Sequence, residues 1–148
     1  MNNLAQVNQY IANLVVLNTK LHNLHFNVEG RRFVPAHEYL ETVYDKFFEY
    51  YDEVAELVKI QGAFPEVRLS EYLKIASVEE LDSKPFGVLE AFKIVEADLK
   101  SMKELALAIR KAAAEEDNFA LANMMEDHLE YYSKQLWFLR ASLVDCGH

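Results

Sequence analysis

The sequence predicts an all-α fold: a bundle of four long helices, with a short extra helix in the crossover between the second and third. Three observations predict it. Apolar residues recur in steps of three and four along most of the chain. Helix breakers are scarce, with four Gly and three Pro in 148 residues. Several of those breakers fall where one apolar stripe ends and the next begins. The length suits one domain, and residues 1–148 show no linker, repeat or low-complexity tail.

The first helix is expected over Asn3–Glu29. Its stripe is Leu4, Val7, Ile11, Leu14, Leu17, Leu21 and Leu24, widened by Val15 and Val16, and Gly30 stops it because glycine adopts positive φ without strain. The second begins near Val34–Pro35, since proline is tolerated in a first turn. It carries Leu40, Val43, Tyr44, Phe47, Tyr51, Val54, Ala55 and Val58 and ends at Gly62. The cluster Phe47, Phe48, Tyr50 and Tyr51 reads as core and interface. Next comes a long connection in which "LSEYLKIA" forms a short helix with Ser70 as its N-cap. A crossover of this length can join two parallel helices.

The third helix is expected from Asp82 or Ser83, with Pro85 in its first turn and Gly87 as a weak spot. Its stripe is Val88, Leu89, Phe92, Val95, Leu99, Met102, Leu105 and Ile109. After the polar break Glu115–Phe119, the fourth carries Phe119, Ala122, Met125, Leu129, Tyr132, Leu136, Leu139 and Leu143. Glu115, Glu116 and Asp117 at the break read either as the lining of a cation-admitting pore or as a solvated turn beside a helix N-terminus. His128 and His148 read as helix surface and tail.

The charge balance is acidic, with 15 Lys and Arg against 24 Asp and Glu and a net charge of −9. Such a surface repels phosphate and attracts cations. The lone cysteine, Cys146, has no intrachain partner and reads as an incidental thiol, which fits a reducing cytoplasm. The N-terminus has no basic segment or small-residue cleavage site. Its longest apolar run, Leu14–Leu17, is far short of the roughly 20 residues that span a bilayer.

Imidazole and carboxylate side chains are the usual ligands of redox-active non-haem iron, and a four-helix bundle can supply them from facing helices. The intrasubunit di-iron pattern needs two Glu-x-x-His pairs. No Glu in this chain has a histidine three residues on, and Glu126-Asp127-His128 has the wrong spacing. The metal-capable residues cluster instead around the junction of the first two helices. His22 and His25 are three apart, and His37 and Glu41 are four apart on one helical face. Asp52 and Glu56 repeat that spacing about three turns later. Fifteen residues from His37 to Asp52 amount to roughly 22 Å of helix at the standard rise. One copy of the helix cannot close both pairs on one site, but two antiparallel copies related by a two-fold axis can. The spacing permits a shared site without requiring one.

At these residues the sequence resembles a known family. His25-Phe26-Asn27-Val28-x-Gly30, Phe33-x-x-x-His37, Tyr44-Asp45 and Asp52-x-x-Ala55-Glu56 resemble the Dps family of miniferritins. "LSEYLKIAS" and "KQLWFLRASL" resemble its crossover helix and closing helix. The resemblance covers nearly the whole chain. It implies a ferritin-like four-helix bundle that assembles into a hollow cytoplasmic cage of twelve subunits. It further implies oxidation of Fe(II), preferably by hydrogen peroxide, with ferric mineral stored inside. By match, His25 and His37 of one subunit and Asp52 and Glu56 of its neighbour are the catalytic ligands. Glu41 stands where the family has an Asp ligand, one methylene longer. Phe26 replaces a common Trp and Leu57 a common Arg, so what those side chains do in the family does not carry over. His22, one turn before His25, reads as a supporting or structural residue, and Tyr39, Tyr44 and Trp137 as packing residues.

Direct DNA binding, which gives the family its name, usually depends on a basic tail. Residues 1–19 hold no Lys or Arg and "VDCGH" is not basic, which with a net charge of −9 argues against it. Two alternatives remain. A different carboxylate di-iron oxidoreductase would need a substrate pocket in the bundle and carboxylates on the third and fourth helices facing it. A helical assembly protein would carry a degenerate metal site.

Overall fold

A computed structural model of the chain describes residues 1–144. The elements in order are α1 (Leu4–Asn27), β1 (Val28–Glu29), α2 (Phe33–Ile60), α3 (Leu69–Ile75), β2 (Phe86–Gly87), α4 (Val88–Glu115) and α5 (Phe119–Leu143). The expected four long helices and the crossover helix are present. Cys146 and His148 lie outside the described residues.

Helix direction follows from a few contacts. β1 and β2 pair in parallel, Val28 with Phe86 and Glu29 with Gly87, so the end of α1 lies beside the start of α4. The start of α2 is at the same end, five residues after α1. The far ends of α2 and α5 meet through a reciprocal amide pair, Gln61 with Asn118, at 2.7 Å in both directions. Thus α2 and α4 run parallel, α1 and α5 run against them, and the long crossover carries the chain back along α1. That crossover is pinned to α1 by polar side chains. The Gln9 amide donates to the Ile75 carbonyl, Glu66 N–H donates to Asn8, and Asn13 exchanges two bonds with Ser77.

The core lies where the stripes face one another: Ile11, Leu14, Leu17 and Leu24 from α1, Leu40, Val43 and Phe47 from α2, Leu99, Met102 and Ile109 from α4, and Leu121, Met125 and Leu139 from α5. Each such aliphatic side chain contributes about 1.5–3 kcal/mol when fully withdrawn from water. One ion pair crosses this core. Lys20 Nζ lies 2.8 Å from Asp98 Oδ2, with both side chains largely buried.

Four local expectations need correction. Helix α1 ends at Asn27, not at Gly30, because Val28 turns extended to pair with Phe86; Gly30 then makes the turn at φ 121°. Helix α4 starts at Val88, not near Ser83, since Phe86–Gly87 are taken up by the same pairing and the Glu90 side chain caps the Gly87 N–H. Arg68, not Ser70, precedes α3 as its N-cap, with no side-chain capping bond. His128 is not on the surface: it is fully buried. Gly62 does close α2, at φ 83°. At the acidic break, Glu115 ends α4, Asp117 adopts φ 57°, and the Asn118 side chain accepts from Leu121 N–H to start α5.

Candidate metal centre

His25 sits in the last turn of α1 and His37 in the second turn of α2, brought together by the tight α1–α2 connection. The two rings stack with centroids 3.6 Å apart and planes within 15°. Each Nδ1 lies 2.7 Å from the other residue's backbone carbonyl oxygen. A carbonyl only accepts, so Nδ1 carries the proton in both rings. In the neutral ring each Nε2 then keeps its lone pair, the atom and tautomer a metal-ligating histidine needs. His25 is 6% exposed, so its ring is held by packing as well as by that bond.

Phe33 stacks on His37 and Tyr44 packs edge-on to His25, at 5.0 and 5.2 Å. The Tyr44 hydroxyl donates to Glu41 at 3.2 Å, and its ring is braced by His22 at 3.7 Å. His22 is itself anchored, its Nδ1 donating to the Asn18 carbonyl at 2.7 Å. His22 thus supports the aromatic neighbour of the site, in line with the structural reading.

Asp52 and Glu56 are exposed and share one face of α2. A hydrogen bond to Asp52, with the charge of Asp52 adding to it, raises the Glu56 carboxyl above its usual range. Like the stacked rings, the two carboxylates are one pair of metal-capable side chains. α2 is one continuous helix from Phe33 to Ile60, so His37 and Asp52 stand roughly 22 Å apart in one chain. Among the described residues, no three His, Cys, Asp or Glu side chains of a single chain gather as a metal site.

A groove of about 860 Å³ lies at the end of the bundle, lined by Arg32, Tyr39, Leu89, Phe92, Trp137 and Phe138 among others. It contains none of the five candidate ligands, and its carboxylates are Glu29 and Glu90 alone. This is not the pocket an organic-substrate di-iron enzyme would need. Tyr39 is a packing residue as expected, its hydroxyl donating to Gln135 at 2.8 Å.

A second constellation escaped the sequence reading. His128 of α5 lies between Tyr10 of α1 and Glu53 of α2, with Nδ1 2.7 Å from the Tyr10 hydroxyl and Nε2 2.6 Å from Glu53 Oε1. Tyr10 also hydrogen-bonds Tyr132, and Tyr50 stacks on His128 at 3.5 Å. Burial, with Lys46 nearby, pulls the His128 imidazole down to about 3. Burial and the charge of Asp127 push the Glu53 carboxyl up. Desolvation thus outweighs the attraction between them, and His128 is a neutral ring bonded to a carboxylate rather than half of an ion pair. The signal was present in the sequence: Met125, His128 and Tyr132 continue the apolar stripe of α5 in steps of three and four.

Comparison with known proteins agrees with this architecture. Residues 4–147 match the ferritin-like domain family. The "DNA protection during starvation protein" of Helicobacter pylori is 31% identical over 133 residues, covering 90% of this chain and 92% of that protein. The protein of the same name from Brevibacillus brevis is 34% identical, covering 93% and 91%. The crystal structure of a Dps protein from Bacillus brevis superposes with a TM-score of 0.91 at 32% identity, covering 96% of this chain and 95% of that one. Among the described residues, no helix is long and apolar enough to cross a membrane. The ferritin-like fold, the crossover helix and relatives matched along almost their whole length make this chain a member of the Dps branch of the ferritin-like family.

Proposed function

We propose that this protein is a ferroxidase and iron store, which oxidises Fe(II) with hydrogen peroxide at a centre shared by two subunits and keeps the ferric product inside a cytoplasmic homododecameric cage. The observation that carries the reading is the reciprocal bonding of His25 and His37. Each ring donates its Nδ1 proton to the other's carbonyl, which leaves two Nε2 lone pairs aligned as ligands before any metal arrives.

Asp52 and Glu56 of a second subunit supply the oxygen ligands. In an antiparallel pairing of two α2 helices that sets His37 against Asp52, the remaining positions follow in register: Phe33 faces Glu56, Glu41 faces Phe48, and Tyr44 and Asp45 flank the axis. The apolar exposure of this face supports such a pairing. Phe26, Phe33 and Phe48 are 69%, 37% and 63% exposed in the single chain, and a second copy would cover them. Glu41, already held by Tyr44, stands one turn from His37 as a further oxygen ligand.

Imidazole and carboxylate hold Fe(II) without quenching its redox reactivity. Two Fe(II) ions each give one electron to hydrogen peroxide, whose O–O bond breaks to leave two hydroxides. Consuming both reagents prevents the one-electron reaction that makes hydroxyl radical. The relatives' name speaks of DNA protection. Here that protection is chemical and needs no contact with DNA, in keeping with the net charge of −9. The acidic break at Glu115–Asp117 is suited to drawing Fe(II) towards the cage.

Anaerobic Fe(II) loading followed by peroxide in a stopped-flow spectrometer tests the proposal. Rapid oxidation is expected for the parent and its loss for His37→Ala and for Asp52→Ala. Parent-like oxidation in both variants would show that the assigned ligands are wrong.

A further inference from the structure

The Tyr10–His128–Glu53 line lies outside the proposed ligand set, and its geometry is more specific than core packing needs. Tyr10, Tyr132 and His128 are each completely buried. An apolar core of the same shape would serve stability as well, because buried polar groups gain little net energy even when fully bonded.

The hydrogen bonds run in one direction. Nε2–H of His128 donates to the Glu53 carboxylate at 2.6 Å, which fixes the tautomer and leaves Nδ1 as an acceptor. The Tyr10 hydroxyl donates to that Nδ1 at 2.7 Å. The Tyr10 oxygen in turn accepts from Tyr132. A phenol is thus held against an imidazole base, the base is oriented by a carboxylate, and no water is needed between them. The same ordering of donor, base and carboxylate activates hydroxyl nucleophiles. Here the donor is a phenol, and the site has no room for a substrate.

A phenol so placed can lose an electron without creating a buried charge on its own ring. We propose that Tyr10 is a redox-active tyrosine, oxidised by one electron to a neutral phenoxyl radical while its proton moves to His128 Nδ1. The oxidant is a diffusible one-electron acceptor of the oxygen-radical class; hydroxyl radical taking the electron becomes hydroxide. The O–H bond of Tyr10 breaks, an N–H bond forms on His128, and Glu53 steadies the resulting imidazolium through Nε2–H. On re-reduction the proton returns along the same 2.7 Å bond.

Aromatic rings supply the path for the electron. Tyr50 lies face to face with His128, and Tyr50, Tyr131 and Tyr132 neighbour one another at centroid distances of 5.7 to 6.2 Å. Tyr131 is only half-buried, so the chain of rings ends on a residue partly open to solvent. His128 is a positioning residue and proton acceptor, and Tyr10 is the group oxidised.

The test uses the assembled, metal-free protein, so it does not depend on the ferroxidase reading. A photogenerated ruthenium(III) polypyridyl complex serves as oxidant, and freeze-quench EPR reads the radical. The parent is expected to give a long-lived tyrosyl signal. In Tyr10→Phe that signal falls to the background left by the other tyrosines. In Tyr132→Phe it survives, with its g-values shifted because the phenoxyl oxygen has lost a hydrogen bond. A Tyr10→Phe variant that keeps the parental signal, or a Tyr132→Phe variant that abolishes it, would overturn the assignment. Tyr10→Phe removes one oxygen atom only, and recovery of the intact oligomer establishes that it folds.

Discussion

His25 and His37 hold each other. The Nδ1–H of each imidazole is spent on the backbone carbonyl of the other, at 2.7 Å both ways, and the rings stack at 3.6 Å. Each ring is anchored on the other residue's backbone and packed against the other ring, so the pair is preorganised at the α1–α2 junction. The arrangement is local in sequence, since only twelve residues separate the two. It is therefore complete within one chain, as is the Asp52–Glu56 pair; in the proposed centre the two pairs come from different subunits.

Redox-silent zinc should report this coupling. His25→Ala and His37→Ala each remove a ligand and also the ring that stacks on the other imidazole. Each is expected to lower zinc affinity by about 100-fold or more, above the 10–100-fold typical of losing an outer partner alone. Glu41→Gln, which keeps the shape and the Tyr44 contact, should have a smaller effect. Calorimetric titration of the assembled protein gives all three values. Equal affinities for parent and His25→Ala would mean that the stacked pair is only a helix-junction clasp.

Protons and metal should compete at the carboxylate half. Glu56 is held above its usual range by its hydrogen bond to Asp52 and by that residue's charge. Metal binding must displace any proton that Glu56 holds. Zinc binding in mildly acidic solution should therefore release protons from the parent, and Asp52→Asn should release fewer because Glu56 returns towards its ordinary value. Unbuffered titration with a pH electrode measures the difference.

His128 should make the protein sensitive to acid. Its folded value is about 3, against 6.5 in the unfolded chain. Between those limits the unfolded state binds the extra proton. Its contribution to stability is therefore full above pH 6.5 and is lost as pH falls towards 3, by roughly 1.4 kcal/mol per unit. Glu53, raised in the fold, works in the opposite sense and offsets part of this. His128→Leu should flatten the acid limb of thermal stability against pH, even where it lowers stability at neutral pH. An unchanged slope would refute the assignment.

The Lys20–Asp98 pair should cost more to break than to replace. Lys20→Met leaves Asp98 without a partner in a site where burial already raises its carboxyl. A loss of about 3–5 kcal/mol is expected. The double replacement Lys20→Met with Asp98→Leu should recover most of it. Chemical denaturation of the three proteins decides.

Much of this was legible in the sequence, for reasons that differ by residue. The four long helices follow from steps of three and four, a local property. The distance from His37 to Asp52 follows from helical rise alone, whereas the expected ligand roles came from the resemblance to the Dps family. The ends of α1 and α4 were misplaced because Val28–Glu29 pair with Phe86–Gly87, a contact between segments nearly sixty residues apart that leaves no local trace. His128 was misread because its neighbours Glu126, Asp127 and Glu130 suggest a solvated face. Leu129, only half-buried, was placed in the stripe that His128 in fact continues. Its partners Tyr10 and Glu53 come from two other helices.

The shared centre is the central claim, and mixing inactive subunits tests it most directly. His37→Ala and Asp52→Ala subunits are co-assembled in equal amounts. In a mixed two-fold dimer, one site inherits both defects and the other inherits intact histidines from one subunit and intact carboxylates from its neighbour. Random pairing makes half of the dimers mixed, so about one quarter of all sites should be whole. The account predicts that peroxide-dependent Fe(II) oxidation returns to about a quarter of the parental rate, although each variant alone is inactive. Mixed assemblies no more active than either variant alone would contradict it.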